Sequence, residues 1–325
     1  MKKIASLIAS TALALSLVAC SSGTKSSTEK ETFKPITVTN CGVELTVTKP
    51  ISRIASLRQA STENLFALGQ AQKMVGTGSL RNAVLPKWQA EYEKIPVLSK
   101  TVPTNEQLRD VNPDFIVTTQ KGSFTNALAG TREEWKKYNI PTFVSNTECG
   151  KDGEKGFDLI FRDYEQLGTL LGAEKEAKAL IDEQSAIVKK SRIRSGKKLA
   201  FVFGVEEGGI LHVDGKKGIA NEISELTGST NVFGDLKKTR NEVSMEALAD
   251  RNPDYLVIAD LSGRGLPGDK ADEKIAKLEA HPTTKLMDAV KNKRYIVIQG
   301  ETLDASVRSV EALEAVATRL QTDAQ

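Results

Sequence analysis

The chain has 325 residues, with 45 Lys and Arg against 42 Asp and Glu, two His and a formal net charge of +3. A hydrophobic content of 39% in a chain of this length is enough for two domains, each with its own core. The mild basicity is interspersed with acids rather than gathered in a block, which argues against a nucleic-acid partner.

The first element is an export signal. Lys2 and Lys3 precede an apolar run from Ile4 to Ala19, the layout of a secretion signal. A membrane-spanning helix needs about 20 predominantly apolar residues, and neither this run nor any later segment reaches that length. Leu17-Val18-Ala19-Cys20, followed by Ser21, Ser22 and Gly23, resembles the lipobox of bacterial lipoproteins. That resemblance implies cleavage before Cys20 and acylation of its thiol, and several acyl chains make a stable anchor. Residues 1–20 thus read as signal peptide and 21–35 as a flexible tether, since Ser21 to Thr32 holds no apolar residue. The expected location is the extracytoplasmic side of the cell membrane. In that compartment the two other cysteines, Cys41 and Cys149, are expected to pair as a disulfide. His212 and His281 sit at no ligand spacing from either, so no metal site is expected.

Beyond the tether, strands alternate with helices. In an N-terminal lobe, residues 36–155, strands are expected near Ile54–Leu57, Met74–Gly76, Asp114–Thr118 and Thr142–Val144, with helices at Thr62–Leu68, Asn105–Val111 and Arg132–Tyr138. One long interdomain helix is expected over 156–194, from its periodic Leu, Ile and Ala positions, with an interruption at Gly172. A C-terminal lobe, residues 195–325, has strands near Leu199–Phe203, Tyr255–Ile258 and Tyr295–Ile298, with helices at Ile219–Leu226, Met245–Asp250, Thr284–Val290 and Ser306–Leu320. The expected fold is α/β: two Rossmann-like lobes with mostly parallel sheets and a ligand cleft between them. An internal repeat supports two lobes of similar design. Thr104–Val117 (TNEQLRDVNPDFIV) matches Ser244–Val257 (SMEALADRNPDYLV) at seven of fourteen positions, each a capped helix ended by Asn-Pro and followed by Asp and an apolar strand.

Ligands of such sheets bind beyond the carboxyl ends of the strands, which nominates the residues that follow them. In the N-terminal lobe these are Arg58, Gln59, Ser61, Thr62, Ser79, Arg81, Gln120, Lys121, Phe124 and Asn146. The C-terminal lobe adds Phe203, Glu206, Arg240, Ser262 and Arg264. The set is cationic on balance and points to an anionic ligand, because Arg donates paired hydrogen bonds to carboxylates. Ordinary solvated loop charges are the alternative. Trp88 can stack on a ligand or pack in the core, and His212 or His281 can ligate haem iron or serve structure alone. The chain contains no GxSxG, GxxxxGK[ST] or HExxH. Gly204–Gly209 lacks the dinucleotide fingerprint, and the adjacent Glu206 and Glu207 read as exposed turn acids, so no enzyme is expected.

The segment from Arg53 to Gly69 (RIASLRQASTENLFALG) resembles the opening motif of the iron-siderophore, haem and cobalamin type of periplasmic binding protein. Val75-Gly76-Thr77, the two Asn-Pro-Asp units, Tyr138-Asn-Ile-Pro141 and Ala289–Arg294 are similar to its later landmarks, and the likeness runs over residues 36 to 322. Thr39–Gly42 and Cys149 are closer to an actinobacterial branch. The resemblance implies a monomeric, cofactor-free binding protein with a stiff helical hinge and small closure, serving an ABC importer of permease and ATPase. The implied ligand is an iron-siderophore-type ferric chelate, with haem, cobalamin or another large anionic cofactor precursor as alternatives. An acid at one motif position in each lobe, Glu106 and Glu246, would then dock onto permease arginines. Alternatively, both acids only complete helix caps.

Overall fold

The computed structural model describes residues 33–323; the signal segment, Cys20 and the tether up to Thr32 lie outside them. The first described element is a hairpin the sequence reading did not anticipate. In it β1 (Ile36–Asn40) pairs antiparallel with β2 (Val43–Val47). Its second strand alternates in and out of solvent, Leu45 and Val47 buried between exposed neighbours, as the period of a half-buried strand requires. Cys41 and Gly42 make the turn at φ 50° and 77°.

Next comes a five-stranded, wholly parallel sheet of β3 (Ile54–Ser56), β4 (Met74–Gly78), β5 (Val97–Ser99), β6 (Phe115–Thr118) and β7 (Thr142–Val144), in the order β5-β4-β3-β6-β7. Every residue of β3, β6 and β7 is buried, as continuous apolar strands covered on both faces must be. The second sheet holds β8 (Lys198–Val205), β9 (Ile210–Asp214), β10 (Thr230–Asn231), β11 (Arg240–Ser244), β12 (Tyr255–Asp260) and β13 (Tyr295–Gln299). Its order is β11-β9-β8-β12-β13, with β10 beside β8. This sheet is mixed: β8 pairs in parallel with β10 and β12, and β12 with β13, whereas β8 and β9 run antiparallel, as do β9 and β11. The reason lies in Glu206–Gly209, where Gly208 and Gly209 take φ 82° and 84° and close a tight turn too short for a crossover. That turn is what the Gly-rich run encodes.

The expected single interdomain helix is two helices, Gly156–Leu171 and Glu174–Lys190. Gly172 ends the first in the left-handed conformation, φ 66°, which glycine adopts without a Cβ penalty. The second helix then folds back on the first. A Cβ on Gly168 would stand 2.7 Å from the Cβ of Ala177, a contact that a continuous helix rising about 1.5 Å per residue cannot make.

The repeat turns out to be a module of the fold. Asn112 and Asn252 both take left-handed backbone, φ 50° and 43°, which Asn tolerates better than most residues. The Asp114 carboxylate accepts the N–H of Arg53 (2.8 Å), and Asp254 accepts that of Lys198 (2.7 Å). In return the two Asp N–H groups donate to the Arg53 and Lys198 carbonyls. Each Asn-Pro-Asp therefore fastens the start of a parallel strand, β6 or β12, to its neighbour, β3 or β8.

Candidate ligand-binding cleft

The carboxyl ends of both sheets open onto one cleft of about 1240 Å³. Arg81, Gln120, Phe203, Glu206, Arg240 and Arg264 line it, and Arg58, Gln59 and Ser79 border a small recess beside Arg81 and Asp304. The other nominated residues do not line the main cleft. Gln59 turns inward, its Oε1 accepting the N–H groups of Arg81 (2.8 Å) and Asn82 (3.0 Å), so it shapes the cleft from behind. Ser61 and Thr62 are buried in a hydroxyl cluster with Ser56 and Thr77. Asn146 donates to Asp163 (2.7 Å) and Gln166 (3.0 Å). Phe124 lies in the hydrophobic core with Leu57 and Trp135. Lys121 and Ser262 are exposed outside the lining. Residues just past a strand end can aim at the cleft or back under the next helix, and hydroxyls and amides find partners in the second direction.

Trp88 is buried against Phe66, ring centroids 5.7 Å apart, and belongs to the core. His212 does line the cleft, its Nε2 2.6 Å from Glu206 Oε1. His281 lies elsewhere, near Glu246. Among the described residues no group of three His, Cys, Asp or Glu side chains is placed to hold a metal ion.

The electrostatics depart from the expected cationic surface. Arg81 pairs with Asp304 at 3.0 Å and Arg264 with Asp269 at 2.8 Å. Arg240 lies over the Phe203 ring, 3.2 Å from its centroid, bonds Asp214 and approaches Asp304 at 3.8 Å. Asp and Glu residues in the lining equal Lys and Arg residues in number. Arg58 donates to Ser123 Oγ (2.9 Å), and burial, with Arg81 nearby, pushes its pKa down.

A model of the periplasmic binding protein family matches residues 54–302. The chain belongs to the periplasmic binding protein family. This is a family of substrate-binding proteins for transport rather than of enzymes. The chain is 25% identical over 307 residues to an uncharacterized ABC transporter substrate-binding lipoprotein, YvrC, of Bacillus subtilis, covering 92% of this chain and 89% of that one. It is 24% identical over 212 residues to the vitamin B12-binding protein of Vibrio parahaemolyticus, 64% of this chain and 70% of that one. Its fold matches the crystal structure of an ABC-type Fe3+-hydroxamate transport system protein from Saccharomonospora viridis. There the TM-score is 0.72 at 24% identity, over 88% of this chain and 98% of that one.

Much of this binding protein's cleft wall escaped the sequence reading. The segment from Thr147 to Gly156, the Lys216–Ile219 turn and Leu303–Ala305 all line it. One signal was available: Cys149 opens a polar stretch with Gly150 and Gly153 before a helix. The Cys41 and Cys149 sulfurs are bonded, with Cα atoms 5.4 Å apart, so the hairpin turn holds the start of that wall. Lys155 crosses to Glu225 at 2.5 Å, joining the segment to the helix Ile219–Leu226. Beneath the floor the fully buried Lys274 donates to the Phe203 carbonyl (2.8 Å) and to that of Ala259. Burial pushes its pKa down to about 8.

Proposed function

We propose that the chain is the extracytoplasmic, lipid-anchored solute-binding protein of an ABC importer, and that it carries an iron-siderophore-type ferric chelate to the permease. The observation that carries this reading is the single cleft at the carboxyl ends of both sheets. At about 1240 Å³ it exceeds the roughly 300–1,000 Å³ of ordinary small-molecule sites, and its wall mixes guanidinium groups with the Phe203 face. Cobalamin is the second reading, favoured by the similarity to the vitamin B12-binding protein of Vibrio parahaemolyticus, and haem is the third.

Native mass spectrometry of the protein extracted from its host membrane tests ligand and anchor together. The expected spectrum has an acylated Cys20 at the N-terminus and a bound ferric chelate with charge-transfer absorption. A Soret band or a cobalt corrin would replace the ferric chelate with haem or cobalamin, and an unacylated N-terminus would remove the anchor.

Delivery is assigned to Glu106 and Glu246. Both are exposed in the first turn of their helices. Glu106 is free of capping, because Thr104 and Gln107 complete the box without it. Exposed apolar residues stand close by, Ile210 opposite Ser244 and Val97 next to the Leu98 carbonyl that Gln107 holds. Acid beside apolar surface suits a protein partner bearing Arg. The Glu106→Ala, Glu246→Ala double variant is expected to bind ligand as the parent does and to lose most uptake in cells lacking the parent. Glu→Arg changes should impair uptake further. Normal uptake by a folded double variant would leave these acids no part in docking.

A further inference from the structure

We infer that Asp304 is a specificity-determining acid, which pairs with Arg81, faces Arg240 and restricts the cleft to ligand head groups without net negative charge. The inference rests on the ferric-chelate reading above and narrows it.

Asp304 follows the turn Gly300–Leu303 at the end of β13 and lines the cleft. One carboxylate oxygen takes Arg81 Nη1 at 3.0 Å and the other faces Arg240 Nη2 at 3.8 Å. Arg81 comes from the loop beyond β4 and Arg240 from the first residue of β11, so the two guanidinium groups belong to different sheets. A single acid thus stands between the arginines best placed to clamp a bound anion, where a ligand carboxylate or catecholate oxygen would otherwise accept their hydrogen bonds. The surrounding charges complete the balance. Arg58 feels both Asp304 and Glu148, Arg240 also bonds Asp214, and Arg264 is held by Asp269. At the floor Arg81 and Arg240 therefore meet Asp304 and Asp214, while Arg58 bonds Ser123 and has no acid at ion-pair distance among the described residues.

An anionic chelate entering this site must displace Asp304 from its guanidinium partners and leave a carboxylate beside its own charge, a juxtaposition that disfavours binding. A neutral chelate keeps the internal pairs and offers its oxygens to the outer N–H groups of Arg81, Arg58 and Arg240. Asp304 is partly exposed, with side-chain accessibility of 19%, so Asn can replace it without opening a core cavity.

The test is calorimetric titration of the full mature protein with two probes, ferrichrome, a neutral ferric trihydroxamate, and ferric enterobactin, a trianionic tris-catecholate. The parent is expected to prefer the neutral probe. Asp304→Asn should shift the affinity ratio toward the tris-catecholate by about tenfold, the scale of one charge-assisted contact, and Asp304→Glu should keep the parent ratio. Circular dichroism verifies that each variant is folded. Binding of both probes with an unchanged ratio in folded Asp304→Asn, or a parent that prefers the tris-catecholate, overturns the inference while leaving the ferric-chelate reading intact. Failure of parent and variant to bind either chelate overturns that reading and the inference with it.

Discussion

Replacing Cys41 and Cys149 together by Ala is expected to lower the unfolding free energy by up to about 4.7 kcal/mol, the chain-entropy value for a loop near 100 residues. The bond spans 108 residues, so its loss frees almost the whole N-terminal part of the described chain in the unfolded state. It also acts locally. Cys41 sits in the hairpin turn at φ 50°, and Cys149 follows the turn Asn146–Glu148, near the start of the cleft wall that runs from Thr147 to Gly156. Without the bond, Asn40 still holds Val144 through its side-chain amide (2.8 Å), which keeps β7 in place but not the wall beyond it. Urea unfolding should therefore show a lower midpoint, and ligand affinity should fall as the wall loosens. A double variant within about 1 kcal/mol of the parent would mean that the bond constrains little in the unfolded chain.

Arg308→Met is expected to cost about 1 kcal/mol more near pH 8 than near pH 5. Glu63, on the helix Gln59–Ala67, is fully buried. Its Oε1 accepts the Leu85 N–H (3.1 Å), with Arg308 Nη1 at 3.7 Å. Burial raises its pKa to about 7, against the lowering effect of Arg308. An acid whose folded pKa lies above its unfolded value binds the proton more tightly when folded. Its contribution to stability is therefore greatest below about 4.5 and is lost as pH rises through about 7. Removing the guanidinium raises the pKa of Glu63 further, so near pH 8 the parent carboxyl is mostly ionised beside Arg308 whereas the variant must keep it protonated, a difference worth about 1.4 kcal/mol for each pH unit above 7. Below it Glu63 is protonated and the penalty shrinks. Chemical unfolding of parent and variant at both pH values measures the difference, and a pH-independent loss would show that Arg308 acts by packing alone.

Both effects depend on contacts between distant parts of the chain, and this marks the limit of what the sequence determined. It determined the elements with a local cause. The bounds Thr142–Val144 and Ile219–Leu226 were read to the residue, because fully buried strands are short apolar runs and this helix is strongly amphipathic. The paired Asn-Pro-Asp motifs were legible as two copies of one unit because capping, helix arrest and strand entry are all encoded within fourteen residues. Pairing direction was not local. The sequence placed β8 but left β9 and β11 unread, so the antiparallel half of the second sheet emerged only from the Glu206–Gly209 turn and the register it sets. Gly172 was visible as an interruption, yet the fold-back of the second helix also needs Gly168 to lie against Ala177.

The site divides in the same way. Its place beyond the strand ends followed from the alternation of strand and helix, and Arg58, Arg81 and Arg264 were named because they follow strands, whereas Arg240 opens β11, a strand left unread. Their charge state was a tertiary matter. Asp304 is 223 residues from Arg81, and Asp214 reaches Arg240 across the β9–β11 pair. A sum over nominated residues counts mainly cations, whereas folding brings the Asp304 and Asp214 carboxylates to Arg81 and Arg240, where Coulomb attraction favours pairing before any ligand arrives.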